Sequence, residues 1–101
     1  MAHGWTFLTN HAHVLLCLAA SPDLTLREVA AQVGITERAA HRIVTELEAE
    51  GALTRERCGR RNHYEISRDF PLRHQLERHN TVGTLLELIR VEPIESGDSE
   101  E

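Results

Sequence analysis

The stretch LREVAAQVGITERAAHRIVT, from Leu26 to Thr45, decides the fold. Just before it, Thr25 and Glu28 form the T-x-x-E of a capping box, in which each side chain satisfies an orphan backbone N–H of a helix start. Leu26, Val29, Ala30 and Val33 then recur at i, i+3, i+4 and i+7, the spacing of one helix face. Gly34 stops that helix, because a residue without Cβ takes the positive φ of a helix terminus at little cost. Gly34 and Ile35 make the turn, and Thr36 caps a second helix that runs through Glu50 to another terminating glycine, Gly51. Ala40, Ile43 and Leu47 give this helix one narrow apolar stripe. Its opposite face, with Glu37, Arg38, His41, Arg42 and Thr45, is polar from the first turn onward.

Upstream, Trp5, Phe7 and Leu8 lead into a helix capped by Thr9 or Asn10 and reaching about Ala20. Ala12, Leu15, Leu16 and Ala19 follow the helical period, yet Val14, Cys17 and Leu18 are apolar as well. A helix apolar nearly all round needs cover on more than one side. The expectation is that a second subunit supplies part of it. Ser21, Pro22 and Asp23 break this helix, and Leu24 with Thr25 is read as a very short strand.

Downstream of Gly51 the pattern shifts to period two. Leu53, Arg55 and Arg57 alternate with Thr54 and Glu56, and Tyr64 and Ile66 alternate with His63 and Glu65. Cys58 to Asn62, containing Gly59, is read as the tip of this hairpin. Beyond Pro71, Leu72 and Leu76 suggest a short helical turn. Val82, Leu85, Leu86 and Ile89 then form an amphipathic C-terminal helix capped by Asn80 or Thr81, in which Gly83 costs about 1 kcal/mol relative to Ala. Two helices about a glycine turn, followed by a basic hairpin, is the order of a winged helix-turn-helix. The expected architecture is mainly α with a small β-hairpin, a three-helix core plus wing, and a C-terminal dimerisation helix. Residues 1–90 make up this domain and residues 91–101 an acidic, disordered tail.

Net charge alone argues against a nucleic-acid partner, since 16 acidic residues outnumber 11 basic ones. Its distribution reverses that impression. Glu92, Glu95, Asp98, Glu100 and Glu101 sit in the tail, which leaves residues 1–90 balanced. From Gly51 to His63, Arg55, Arg57, Arg60 and Arg61 stand against Glu56 alone. The chain shows neither a membrane-length apolar run nor a secretory leader, so it is expected in the cytoplasm with no membrane partner. Cys17 and Cys58 are far apart and form no metal-type pair. His11 and His13, like His74 and His79, lack the spacing that brings ligands together on a helix. No metal site, cofactor or catalytic residue is expected, because no nucleophile, base and orienting group cluster in the sequence.

The segment Leu26 to Thr45 resembles the helix-turn-helix of the MarR and ArsR families of bacterial regulators, and RERCGRRNHYEI, Arg55 to Ile66, resembles their wings. The similarity covers roughly residues 10–67. Ala40 is smaller than the Val or Ile usual at its inward position, and Glu37 places an acid where many relatives have a neutral or basic residue. The chain is also shorter than a typical MarR protein, whose long flanking helices build a ligand pocket, so no small-molecule effector is expected.

The resemblance implies a sequence-specific regulator of transcription that binds double-stranded DNA. The recognition helix, 36–50, would enter the major groove with Thr36, Glu37, Arg38, His41, Arg42 and Thr45, and Arg42 resembles the family's base-reading arginine. The wing, 55–63, would reach backbone or minor groove with Arg55, Arg57, Arg60, Arg61 and Asn62. Each arginine taken singly reads equally well as a solvated surface charge, and only their joint placement points to DNA. Val82, Leu85, Leu86 and Ile89 would join two copies as a homodimer. Two other readings stay open: a winged helix used as a protein-interaction module, and a DNA-binding sensor of metal or of Cys58 oxidation.

Overall fold

The computed structural model describes residues 4–92. The acidic run from 93 onward, most of the expected tail, lies outside the described residues. Four helices and one antiparallel hairpin follow in the order α1 (Asn10–Ala20), α2 (Leu26–Val33), α3 (Glu37–Glu50), β1 (Leu53–Cys58), β2 (Arg61–Ile66) and α4 (Val82–Leu88).

Thr9 caps α1 by accepting the Ala12 N–H. Val14, Leu15, Leu16, Cys17 and Leu18 are all buried, so α1 is the central helix, and α2, α3 and β2 pack around it. Its apolar surface is therefore covered by its own chain, and the expected contribution from a second subunit is not needed there. Burial pushes the Cys17 thiol above its ordinary pKa, which suits an inert core side chain.

Both halves of the capping box are present at α2: the Glu28 N–H donates to Thr25 Oγ1 at 3.1 Å, and the Thr25 N–H to Glu28 Oε1 at 2.9 Å. Gly34, at φ +89°, turns the chain, and its N–H and that of Ile35 both donate to the Ala30 carbonyl. Thr36 caps α3 through the Ala39 N–H at 3.0 Å. The inward face of α3 differs from the expected stripe, for Ala40, Ile43 and Val44 are buried while Leu47 is only half-buried.

In the hairpin, Leu53 pairs with Ile66 and, at the far end, Cys58 with Arg61, leaving only Gly59 and Arg60 as the turn. Gly59 has φ +64°, the left-handed value that tight two-residue hairpins require. The tip is thus shorter than Cys58 to Asn62, and Arg61 and Asn62 belong to a strand. Leu24 and Thr25 form no strand. The segment is held beside the wing by one backbone bond, from the Tyr64 N–H to the Pro22 carbonyl, and by burial of Leu24.

No helix forms around Leu72 and Leu76. Instead residues 70–82 make a closed loop, tied by the Leu72 N–H to the Asn80 carbonyl and the Val82 N–H to the Phe70 carbonyl. Two turns, Glu77 N–H to His74 O and Asn80 N–H to Glu77 O, fill its far end. α4, capped by Thr81, is only 7 residues long. Val82 and Leu86 point into the chain's own core beside Val14, Leu18 and Leu53. They cannot also form a dimer surface as expected, and of that set only Leu85, half-buried, and Ile89, 37% exposed at the helix end, remain accessible.

Candidate nucleic-acid interface

On α3 the capping geometry fixes the start of the helix and the buried stripe fixes its rotation, so Glu37, Arg38, His41, Arg42 and Thr45 are all exposed. Thr36 is exposed too, with its hydroxyl engaged as the cap. Glu37 lies 4.0 Å from Arg27 of α2, which offsets the acid at the front of the helix. Arg38 and His41 enter no hydrogen bond or ion pair among the described residues. Arg42 approaches Glu46 one turn later at 3.6 Å, and Glu46 in turn contacts His11 of α1 at 2.7 Å. The hydrogen bond with His11, more than the nearby Arg42, holds the Glu46 carboxyl below its ordinary pKa.

The wing arginines divide into two groups. Arg55 is drawn back onto α3, donating from Nη2 to Glu48 Oε1 at 2.7 Å with its side chain only 24% exposed. That bond raises the pKa of the guanidinium further. Arg61 also turns inward, donating to the Asp23 carbonyl at 2.8 Å and to Glu28 at 3.3 Å. Asn62 makes a long contact to the Tyr64 hydroxyl at 3.5 Å. Arg57 and Arg60 stay outside. Arg57 donates from Nε to the Gly59 carbonyl, which leaves the rest of its guanidinium to solvent, and Arg60 stands exposed in the turn. Of the four wing arginines expected to reach DNA, two are therefore occupied in fixing the wing to the helices.

His63, not singled out from the sequence, bonds Asp23 at 2.7 Å across forty residues of chain. No local pattern predicts such a pairing, because it depends on where the loop after α1 passes β2. Cys58 is exposed at the end of β1 as a free thiol. No group of three His, Cys, Asp or Glu side chains among the described residues is arranged to hold a metal. No described helix is long and apolar enough to cross a membrane.

A second feature lay outside sequence reading. Between the start of α1, the loop 70–80 and α4 lies a cleft of about 430 Å³, walled by Phe7, Leu15, Phe70, Leu72 and Leu85. His11 and Arg73 are among its lining residues. Residues more than fifty apart in sequence build it, and only the closed loop brings them together.

A sequence profile of the MarR family matches residues 4–61, more than half of the chain. Among solved structures, the PcaV transcriptional regulator of Streptomyces coelicolor, seen with its natural ligand, is 25% identical at a TM-score of 0.54. That match covers 80% of this chain and 56% of PcaV. A MarR family protein of Mycobacterium tuberculosis, seen with salicylic acid, is 30% identical over 59% of this chain and 47% of its own, at a TM-score of 0.49. The chain thus spans about half the length of these solved relatives. A search of curated proteins gives no match.

The PcaV structure overturns one expectation. A MarR regulator sharing this fold holds a ligand, and the cleft beside α1 is built without long flanking helices, so chain length was no ground for expecting no small-molecule effector. The glycine-turned helix pair, the basic hairpin and the profile match together establish that this chain belongs to the MarR family of transcriptional regulators, with a winged helix-turn-helix fold.

Proposed function

We propose that this chain regulates transcription by binding duplex DNA, with α3 in the major groove and the wing on backbone or minor groove. The observation that carries this reading is the outer face of α3, where Arg38, His41, Arg42 and Thr45 are exposed together beside a wing that presents Arg57 and Arg60. Thr36 and the N–H groups of the first turn would meet a phosphate, as helix N-termini do. A protein-docking face would instead expose large apolar or aromatic groups at its centre. The exposed large apolar side chains among the described residues are Trp5, Phe7, Leu76, Leu88, Ile89 and Val91, none of them on α3 or the wing. The test is fluorescence anisotropy on DNA from the chain's own promoter region against random duplex at several salt concentrations. Equal affinity for both, or none for either, refutes sequence-specific binding.

The cleft walled by Phe7, Leu15 and Phe70 suits a small, mostly apolar effector whose polar end meets His11 or Arg73. Its ligand would bind the folded chain and stabilise it by about 2.7 kcal/mol at a hundredfold excess over Kd. Ala12→Phe fills the cleft from α1, so a ligand that still raises the melting temperature of that variant binds elsewhere. The regulator would act as a homodimer in the cytoplasm, joined through the exposed apolar end of α4.

A further inference from the structure

The side chains that tie the wing to the helices are unusual for a DNA-binding surface, because half of them are acids. Asp23, in the loop after α1, takes the His63 ring at 2.7 Å and, through its carbonyl, Arg61 at 2.8 Å. Glu28 of α2 accepts from the same Arg61 Nη1 at 3.3 Å while its Oε1 also closes the capping box. Next to His63 the Tyr64 N–H reaches the Pro22 carbonyl. Arg61, His63 and Tyr64 of β2 are thereby anchored to one short stretch, 22–28, which runs into the first helix of the helix-turn-helix.

We infer that Asp23 and Glu28 are positioning residues for DNA binding: they hold Arg61 and His63 so that the wing keeps a fixed angle to α3 and delivers Arg57 and Arg60 to the phosphates. This rests on the DNA-binding reading above. It runs against simple electrostatics, under which any carboxylate near DNA opposes binding and its removal tightens it. The sign of the effect therefore separates a clasp from a bystander charge.

The His63 leg of the clasp depends on pH. His63 faces Asp23 from the loop and Glu56 from the paired strand, with Arg61 and Glu65 two positions away on its own strand. The Asp23 hydrogen bond, ahead of the neighbouring charges, raises the His63 pKa from its ordinary value of 6.5. A raised histidine pKa means that the charged pair is complete below about pH 6.5 and weakens as pH climbs through the raised value. The clasp should thus be tightest in mild acid.

The experiment measures Kd for duplex DNA from pH 6 to pH 8 with wild type, Asp23→Asn, Glu28→Gln and His63→Gln. Asn keeps an acceptor for the ring, and Gln can still close the capping box, so both acid variants remove charge with little change of shape. Melting temperatures check that each variant folds. The expected result is that Asp23→Asn and Glu28→Gln each weaken binding about two- to fivefold at pH 6, the range for loss of a partly exposed ion pair. The ratio between Asp23→Asn and wild type should shrink toward one by pH 8, and His63→Gln should show the same loss at pH 6. Taking the ratio to wild type at each pH cancels any pH dependence that the variants share. Wild type binding well while both acid variants bind as tightly or more tightly overturns the clasp and leaves the DNA-binding reading standing. Wild type that binds no duplex at any pH overturns both.

Discussion

Arg42 and Glu46 stand one turn apart on α3, with Nη1 3.6 Å from Oε2, while the other oxygen of the same carboxylate meets His11. A side chain expected to read DNA thus rests, without DNA, against an acid that is itself anchored to the central helix. On the proposed DNA-binding reading, Glu46 would compete with DNA for Arg42 and would add a negative charge to the face that meets phosphate. Because the His11 bond holds its pKa down, mild acid would not relieve this competition. Glu46→Gln should therefore tighten binding about twofold on specific and random duplex alike, as loss of an exposed competing pair would. Arg42→Ala should cost about 1–3 kcal/mol on the specific site and little elsewhere. Titrations of both variants on both duplexes decide: weaker binding by Glu46→Gln makes the carboxylate a support, and a uniform loss for Arg42→Ala puts that arginine on phosphate.

The division of the wing arginines makes a second prediction. Arg57 and Arg60 face outward, whereas Arg55 and Arg61 are bonded to Glu48 and Glu28. Each phosphate contact contributes about 0.9 to the slope of log affinity against log salt. Arg57→Ala combined with Arg60→Ala should lower that slope by about one to two. Arg55→Ala should weaken binding through a looser wing with a smaller change of slope. A double variant whose slope matches wild type would take the wing tip off the DNA.

Where the fold was legible, the signal was local. Thr9, Thr25 and Thr36 cap their helices and Gly34 and Gly51 end theirs because those choices depend on backbone a few residues away. The order of helix pair and basic hairpin was legible for the same reason. What the sequence hid depends on which distant segments meet. Val44 lies beside the expected stripe of α3 and is buried in the same core cluster as Val14 and Leu18 of α1. Arg61 carries the same charge as Arg60, and only the position of Asp23 and Glu28 separates a clasp from a tip. Val82 and Leu86 read as an unpartnered stripe because the loop that leads them back into the core has no regular period. The cleft was invisible for the same cause.

Gly83 illustrates that limit and can be tested. By helix propensity alone, Gly83→Ala would stabilise α4 by about 1 kcal/mol. A Cβ there, however, would sit 3.0 Å from the Arg68 carbonyl oxygen and 3.2 Å from the Arg68 Cβ. The Gly83 N–H donates to that same carbonyl at 2.8 Å, so moving away would stretch the bond that docks the helix. Gly83→Ala should destabilise the fold by about 1–3 kcal/mol, the usual cost of overpacking. Chemical denaturation reads it directly, and a variant more stable than wild type would show that Arg68 gives way freely.

The oligomeric state turns on the end of α4. Val82 and Leu86 are held in the core, but Leu88 is 77% exposed, and Ile89 and Val91 beyond it are each 37% exposed. Soluble monomers seldom leave contiguous apolar patches of more than a few hundred Å² in water. A second copy related by a two-fold axis would cover this end and set two recognition helices about 34 Å apart, one turn of DNA, so the operator would be an inverted repeat. Leu88→Glu should then dissociate the dimer and weaken specific binding while leaving the melting temperature of the subunit nearly unchanged, because its side chain contributes little to the core. Leu86→Ala should do the reverse, costing about 2–5 kcal/mol of stability as a buried leucine does. Light scattering at micromolar concentration separates the cases. A wild-type mass near the 11.4 kDa of one chain would end the case for a dimer and for a palindromic operator. A dimer that survives Leu88→Glu would place the interface elsewhere on the chain.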